Sequence, residues 1–310
     1  MSILVENLTK KYDKQRAVDN VSFEVKTGEI VGFLGPNGAG KTTTMKIITC
    51  FMAPSSGDVK VNGLSIHDNQ DQIKKKIGYL PESNPIYQDM PVLEYLEYAA
   101  ELHGIPKAKI SNRIIEMVRL TGLNEEKHKN IGELSKGYRQ RVGLAQAMIH
   151  DPEILILDEP TTGLDPNQIV EIRKLIRKVG REKTVILSTH ILPEVEATTD
   201  RILIINKGQI VADGTAMSLR KQAQGEEILR VQISDAETSD IIYNELRKID
   251  TIAMVDPVPD VANTFLINSK DDATSKKNIF NLCVKNNWVL TELTPLETKL
   301  EDIFRELTTK

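Results

Sequence analysis

The apolar positions in the first two thirds of the chain gather into short dense runs, separated by stretches with a helical period. Ile30 to Leu34, Ile154 to Leu157 and Ile202 to Ile205 are continuous runs of strand length. That is the pattern of strands buried on both faces, because a half-exposed strand alternates instead. Val18 to Val25 does alternate and reads as a half-buried strand; from Ile154 onward the strands return, with Thr184 to Ser188 and Arg201 to Ile205 among them. Ile169, Ile172, Leu175, Ile176 and Val179 recur at three- and four-residue spacing, which is one face of a helix. Residues from 85 to 149 read mostly as helix, punctuated by Pro91, Gly104, Pro106 and Gly122. Strands alternating with helices predict an α/β fold, a largely parallel sheet with helices on both faces.

Near Ser218 to Gly225, Lys, Gln and Gly replace the apolar runs, and the stretch reads as a linker. Beyond it Leu229, Val231 and Ile233 alternate as a strand, and Ile242, Leu246 and Ile249 mark a helix. Phe265 and Ile267 suggest a strand, residues 273–286 a helix and Val289 to Leu293 another strand. Leu296, Leu300, Ile303, Phe304 and Leu307 form the stripe of a last helix. The expected division is therefore residues 1–220 and a small α+β domain at 221–310, ferredoxin-like in outline and no repeat of the first.

Composition narrows the class of protein. A chain of 310 residues, 40% hydrophobic and 27% charged, has the profile of a soluble globular protein with room for two domains. The net charge of -4 argues against bulk electrostatic binding to nucleic acid. Cys50 and Cys283 stand far apart in no metal-ligand spacing and read as reduced thiols. The N-terminus shows no signal-peptide core, and no apolar run has the length of a bilayer span. A role at a membrane would need another chain to supply the span.

The stretch Gly35-Pro36-Asn37-Gly38-Ala39-Gly40-Lys41-Thr42 fits the phosphate-loop pattern without a mismatch, between a buried strand and a helix. Glycines let the backbone curl so that N–H groups point inward at phosphate oxygens, and the helix N-terminus adds partial positive charge. Lys41 can reach the outer phosphates and Thr42 can ligate Mg²⁺. The motif alone indicates a nucleoside triphosphate. Further along, the run Ile154 to Leu157 ends in Asp158 and Glu159, at a strand's carboxyl end, where open α/β sheets bind ligands. Pleat geometry sends the two carboxylates to opposite faces. Asp158 is then the candidate to hold Mg²⁺, and Glu159 the candidate to polarise an attacking water.

Between these motifs, Leu134-Ser135-Lys136-Gly137-Tyr138 precedes a helix and resembles the signature of the ABC ATPases. Ser135 and the Gly137 N–H open that helix as an anion site. The resemblance covers roughly residues 1–220. It implies an ABC nucleotide-binding domain with a parallel core sheet, an antiparallel β subdomain and a helical subdomain. It implies that the signature faces the γ-phosphate held by a second cassette, and that the nucleotide is ATP held by Gly35 through Thr43 with Mg²⁺. Tyr12 stands where the family has an adenine-stacking aromatic upstream of the first hairpin, although a tyrosine there also reads as packing. Asp165 in Gly163-Leu164-Asp165 matches the loop that crosses to the partner subunit, and His190 in Ser188-Thr189-His190 matches the switch histidine. Glu82 replaces the usual glutamine; it keeps an oxygen for the metal and loses the amide donor. Lys136 and Tyr138 also depart from the common signature.

The variant signature, Tyr79-Leu80-Pro81-Glu82 and the added C-terminal domain are similar to the drug-exporter and antibiotic-resistance subfamily. In general texture the whole chain is also similar to ATP-binding subunits associated with bacterial gliding motility. The resemblance implies a peripheral subunit on the cytoplasmic face of the plasma membrane. Its partners would be an integral membrane permease, docked near Glu82 and residues 83–130, and a second cassette, identical in a homodimer. No nucleic acid is expected. The alternative is a soluble ABC ATPase acting on ribosomes or DNA; one cassette and no long coiled coil count against it. A regulatory GTPase fails on Asn206-Lys207-Gly208-Gln209, which lacks the aspartate of the guanine-reading motif.

Overall fold

The computed structural model describes residues 2–224, 227–236, 238–259, 261–270, 273–296 and 300–309. The chain divides into two compact units, residues 1–216 with 307–310, and residues 217–306.

The first unit holds two sheets. One is antiparallel, in the order β2 (Gln15–Val25), β1 (Ile3–Tyr12), β4 (Ser56–Val61), β5 (Leu64–Ser65). The other has six strands in the order β10 (Gln209–Gly214), β9 (Arg201–Asn206), β3 (Ile30–Leu34), β8 (Thr184–Thr189), β7 (Ile154–Asp158), β6 (Ile77–Leu80). All its pairings are parallel except that of the edge strand β10 with β9. Every residue of β3, β7 and β8 is buried, because both faces are covered.

The pleat of β7 shows how the covering works. Ile154 and Ile156 enter a core with Phe33, Met45 and Ile47, the last two on α1 (Lys41–Ile48). Leu155 and Leu157 enter another core on the opposite face. That second core contains Leu96 of α3 (Val92–Leu102), Met117 of α4 (Lys107–Thr121), Leu144 of α5 (Lys136–Met148) and Ile176 of α6 (Pro166–Gly180). The remaining helices of this part are short, α2 (Gln70–Lys76) and α7 (Leu192–Thr198). Strands β3, β6, β7 and β8 are parallel, so their carboxyl ends share one edge of the sheet, and that edge carries the polar loops.

The run read as a linker is largely helical, α8 (Ala216–Gln224). Its Leu, Arg, Lys, Gln and Ala are all good helix formers, which outweighs the polar texture. Gly225 lies outside the described residues.

The second unit runs β11 (Ile228–Ser234), α9 (Ser239–Leu246), β12 (Ile252–Pro257), β13 (Thr264–Ser269), α10 (Lys276–Asn286), β14 (Val289–Leu296). The sheet order is β12-β13-β11-β14, every pairing antiparallel, which is the split β-α-β of ferredoxin-like domains. Leu229, Val231 and Ile233 pack with Ile242, Leu246, Ile279 and Cys283. Two sequence expectations are corrected here. Strand β12 was absent from the sequence reading, and Leu296 ends β14, opposite Ile228, instead of starting the last helix, α11 (Leu300–Thr309). Cys50 and Cys283 are free thiols.

Candidate active site

The loop after β3 curls tightly into α1. Gly38 and Gly40 adopt positive φ, and a Cβ on Gly40 would lie 2.3 Å from the Ala17 carbonyl oxygen, so no side chain is admitted there. Lys41 is 6% exposed and folds back over the loop. Its Nζ donates to the Gly35 carbonyl at 2.7 Å and to that of Pro36 at 3.3 Å, and lies 3.4 Å from Glu159 Oε1. The Ala39 side chain is buried in the core and its carbonyl accepts from the Gly208 N–H, so the residue braces the loop and does not line the cleft.

Strand β7 ends at Asp158, which is fully buried. By the pleat Asp158 shares the face of Ile154 and Ile156, toward α1, where Thr42 stands. The Ser188 hydroxyl donates to its Oδ1, while Oδ2 is buried with no hydrogen-bond partner among the described residues. Burial raises the Asp158 pKa, and the Ser188 and Thr42 hydroxyls pull the other way.

Glu159 departs from the expected geometry. It lies beyond the strand in a left-handed conformation, φ 50°, so a turn and not the pleat sends its carboxylate away from Asp158. Its N–H is tied to the Ser188 carbonyl at 3.1 Å, which holds this turn in place. The carboxylate meets His190 Nδ1 at 2.9 Å and 3.0 Å and accepts from the Thr162 hydroxyl at 3.1 Å. Glu194 lies one layer deeper. It is 3% exposed and accepts from the Thr161 and Thr189 hydroxyls, so it ties the loop after Glu159 to the strand before His190.

These groups open on a cleft of about 620 Å³. Of the residues expected from sequence, Tyr12, Asn37, Gly38, Gly40, Lys41, Thr42, Thr43, Glu82, Glu159 and His190 line it. Gln15, Ala17 and Thr162 line it as well and were missed; the first two carry no chemical signal until the β1–β2 hairpin brings them to the cleft. Tyr12 sits within that hairpin, as the last residue of β1, and not upstream of it. It is 45% exposed, and its hydroxyl points to Met52 Sδ at 2.9 Å.

Of the expected residues, Gly35, Pro36, Ala39 and Asp158 belong to the loop and strand beneath the cleft without lining it, and three more lie away from it. Ser135 caps α5 by accepting from the Tyr138 N–H at 3.4 Å, and Gly137 is covered by the Gln168 side chain. The Asp165 carboxylate caps α6, accepting from the N–H groups of Asn167 and Gln168 at 3.0 Å each.

A phosphate loop, a buried aspartate at a strand end one strand removed and a glutamate–histidine pair on one sheet edge define a nucleoside-triphosphate-hydrolysing cassette. A family model described as ABC transporter matches residues 18–162. The chain is 34% identical to the bacitracin transport ATP-binding protein BcrA of Bacillus licheniformis, over 99% of this chain and 98% of that one. It is 41% identical to the ABC transporter ATP-binding protein YxlF of Bacillus subtilis, over 71% and 73%. Among solved structures it is similar to the dimeric ATP-binding cassette MJ0796 in a post-hydrolysis state bound to ADP and Pi. There the TM-score is 0.63 at 27% identity, covering 69% of this chain and 98% of that one. The chain belongs to the ABC transporter family, as an ATP-binding and ATP-hydrolysing subunit.

Proposed function

We propose that the chain powers export through a separate membrane-spanning subunit, and that two cassettes closing head-to-tail on ATP carry out the hydrolysis. The observation that carries this reading is the convergence of Lys41, Glu159 and His190 on one cleft at the carboxyl ends of adjacent strands. Lys41 binds the β- and γ-phosphates. Glu159 orients the attacking water, held in place by His190 and Thr162. His190, 41% exposed, is free to turn toward the γ-phosphate once Glu159 takes up the water. The Tyr12 ring supplies a stacking surface for adenine. These contributions are positioning and electrostatic stabilisation, as phosphoryl transfer requires.

The donors beside the cleft fit Mg²⁺: the Thr42 hydroxyl, the Glu82 carboxylate and a buried, unpartnered oxygen of Asp158 are all hard oxygen ligands. When bound, the ion neutralises phosphate charge. Ser135, Gly137 and Asp165 lie outside this chain's own cleft, which fits their service to the nucleotide of a second cassette. No described helix is long and apolar enough to cross a membrane, which favours a peripheral subunit on the cytoplasmic face, docked to a permease. The unit at 217–306 is read as an accessory, regulatory domain. The reported relatives' names favour transport over a gliding-motility system and over action on ribosomes or DNA.

The test is Glu159→Gln, sized by light scattering with and without MgATP. The variant keeps the shape of the site and removes the charge, so ATP-bound dimer accumulates. Adding Ser135→Arg abolishes that dimer. A Glu159→Gln protein that binds ATP and stays monomeric at high concentration would overturn the sandwich.

A further inference from the structure

Beside the nucleotide cleft lies a second cavity of about 390 Å³, and Thr42 and Glu82 stand on the walls of both. Three buried polar atoms on its lining residues have no hydrogen-bond partner among the described residues: Tyr79 Oη, Asn84 Nδ2 and Asp158 Oδ2. A buried polar group without a partner is costly, and native structures keep few of them unless water or an ion completes them. Three around one cavity mark a place built to be wet.

The sheet explains how they meet. Tyr79 of β6 pairs in register with Ile156 of β7, and Asp158 stands two residues further along the same face. Asn84 lines the same cavity, and its amide nitrogen lies against Gly143 of α5, where a Cβ would fall 2.0 Å from it. Burial raises the Tyr79 pKa, and the Asp158 and Glu82 carboxylates raise it further. The phenol can donate a hydrogen bond, and the Asp158 and Glu82 carboxylates stand on the lining of the same cavity.

We propose that Tyr79 is a positioning residue for the ATPase reaction: its hydroxyl, with the Asn84 amide, anchors waters that orient Asp158 toward the divalent cation. This rests on the reading of Asp158 as a holder of that cation. Nothing in the family motifs discussed above assigns a role to either side chain, and the phenol hydroxyl contributes no packing that phenylalanine would not supply.

The experiment measures Mn²⁺ binding by electron paramagnetic resonance, with a non-hydrolysable ATP analogue present, for wild type, Tyr79→Phe, Asn84→Leu and Asp158→Asn. Tyr79→Phe weakens Mn²⁺ binding roughly tenfold, the lower end of the range for groups that orient metal ligands. The Mg²⁺ concentration for half-maximal turnover rises in parallel, and analogue affinity without metal stays at the wild-type value. Asn84→Leu shifts Mn²⁺ binding in the same direction and stands in should the phenylalanine variant fold poorly. If Asp158→Asn loses Mn²⁺ while Tyr79→Phe and Asn84→Leu hold it within twofold of wild type, the role of Tyr79 is refuted and the metal reading stands. If Asp158→Asn itself binds Mn²⁺ as wild type does, the metal reading fails and takes the inference with it.

Discussion

The six-stranded sheet of the first unit and the four-stranded sheet of the second solve different problems with the same element types. In the first, parallel strands bury both faces and deliver their carboxyl ends to one edge, so Lys41, Glu159 and His190 meet although the sequence separates them widely. In the second, every pairing is antiparallel, so neighbouring strand ends point in opposite directions and no single edge collects the loops. Parallel topology concentrates chemistry; the antiparallel sheet of the second unit provides a packed face against α9 and α10 and little else that could react.

The largest effect that would break this comparison is loss of the loop lysine. Lys41→Ala should reduce ATP turnover at least about a hundredfold, the scale of removing one charge-stabilising donor, and greatly weaken nucleotide binding. Wild-type turnover in the folded variant would place the chemistry elsewhere.

A smaller effect separates the units by pH. All five histidines lie in the first unit. The His150 ring stacks on that of His103 with centroids 3.8 Å apart, and its pKa is pushed down to about 4, first by burial and then by His103, Arg113 and Lys183. The Ile77 carbonyl opposes the shift. The unfolded chain binds the proton near pH 6.5 and the folded one does not, so stability present above 6.5 is lost as pH falls toward 4. The full shift corresponds to roughly 3 kcal/mol, which solvent screening of the partly exposed ring reduces to on the order of 2 kcal/mol, and His150→Phe should flatten it. Hydrogen exchange across that pH range should show the first unit opening before the second; simultaneous opening would argue that His150 is not the sensitive group.

The smallest effect is truncation. A chain ending at Gln224 loses the hydrogen bond from the Asn206 amide to the Leu307 carbonyl, worth about 1 kcal/mol. It should still melt cooperatively and bind ATP, with a melting temperature lower by roughly 2–4 °C. Failure to fold would show that the two units are one cooperative structure.

The same contrast explains what the sequence made legible. Strands β3 and β7 announce themselves because burial on both faces forces continuous apolar runs, and a strand-loop-helix around Lys41 leaves little freedom of interpretation. Strand β12 does not. A register shift between Ile252 and Met254 breaks its alternation, and its buried residues, Ile252 and Val255, are three apart, a helical spacing. Leu296 matched the stripe of α11 by spacing alone, while its pairing with Ile228 is a long-range fact that no local pattern carries. At the site, the residue types were legible and their directions were not. The turn at Glu159 depends on Ser188, far away in sequence, and Asp158 and Glu159 diverge through that turn.

The pairing of Lys41 with Glu159 has a kinetic meaning. With the cleft as described, the lysine already has an anion beside it and the glutamate already has three neighbours, Lys41, Thr162 and His190. The protein thus carries a tethered competitor for its own nucleotide. On the proposed roles of Lys41 and Glu159, an arriving triphosphate displaces that carboxylate from the lysine, and the same displacement releases the carboxylate for the water. On that reading loading and arming are one event, tied together by the Lys41–Glu159 ion pair.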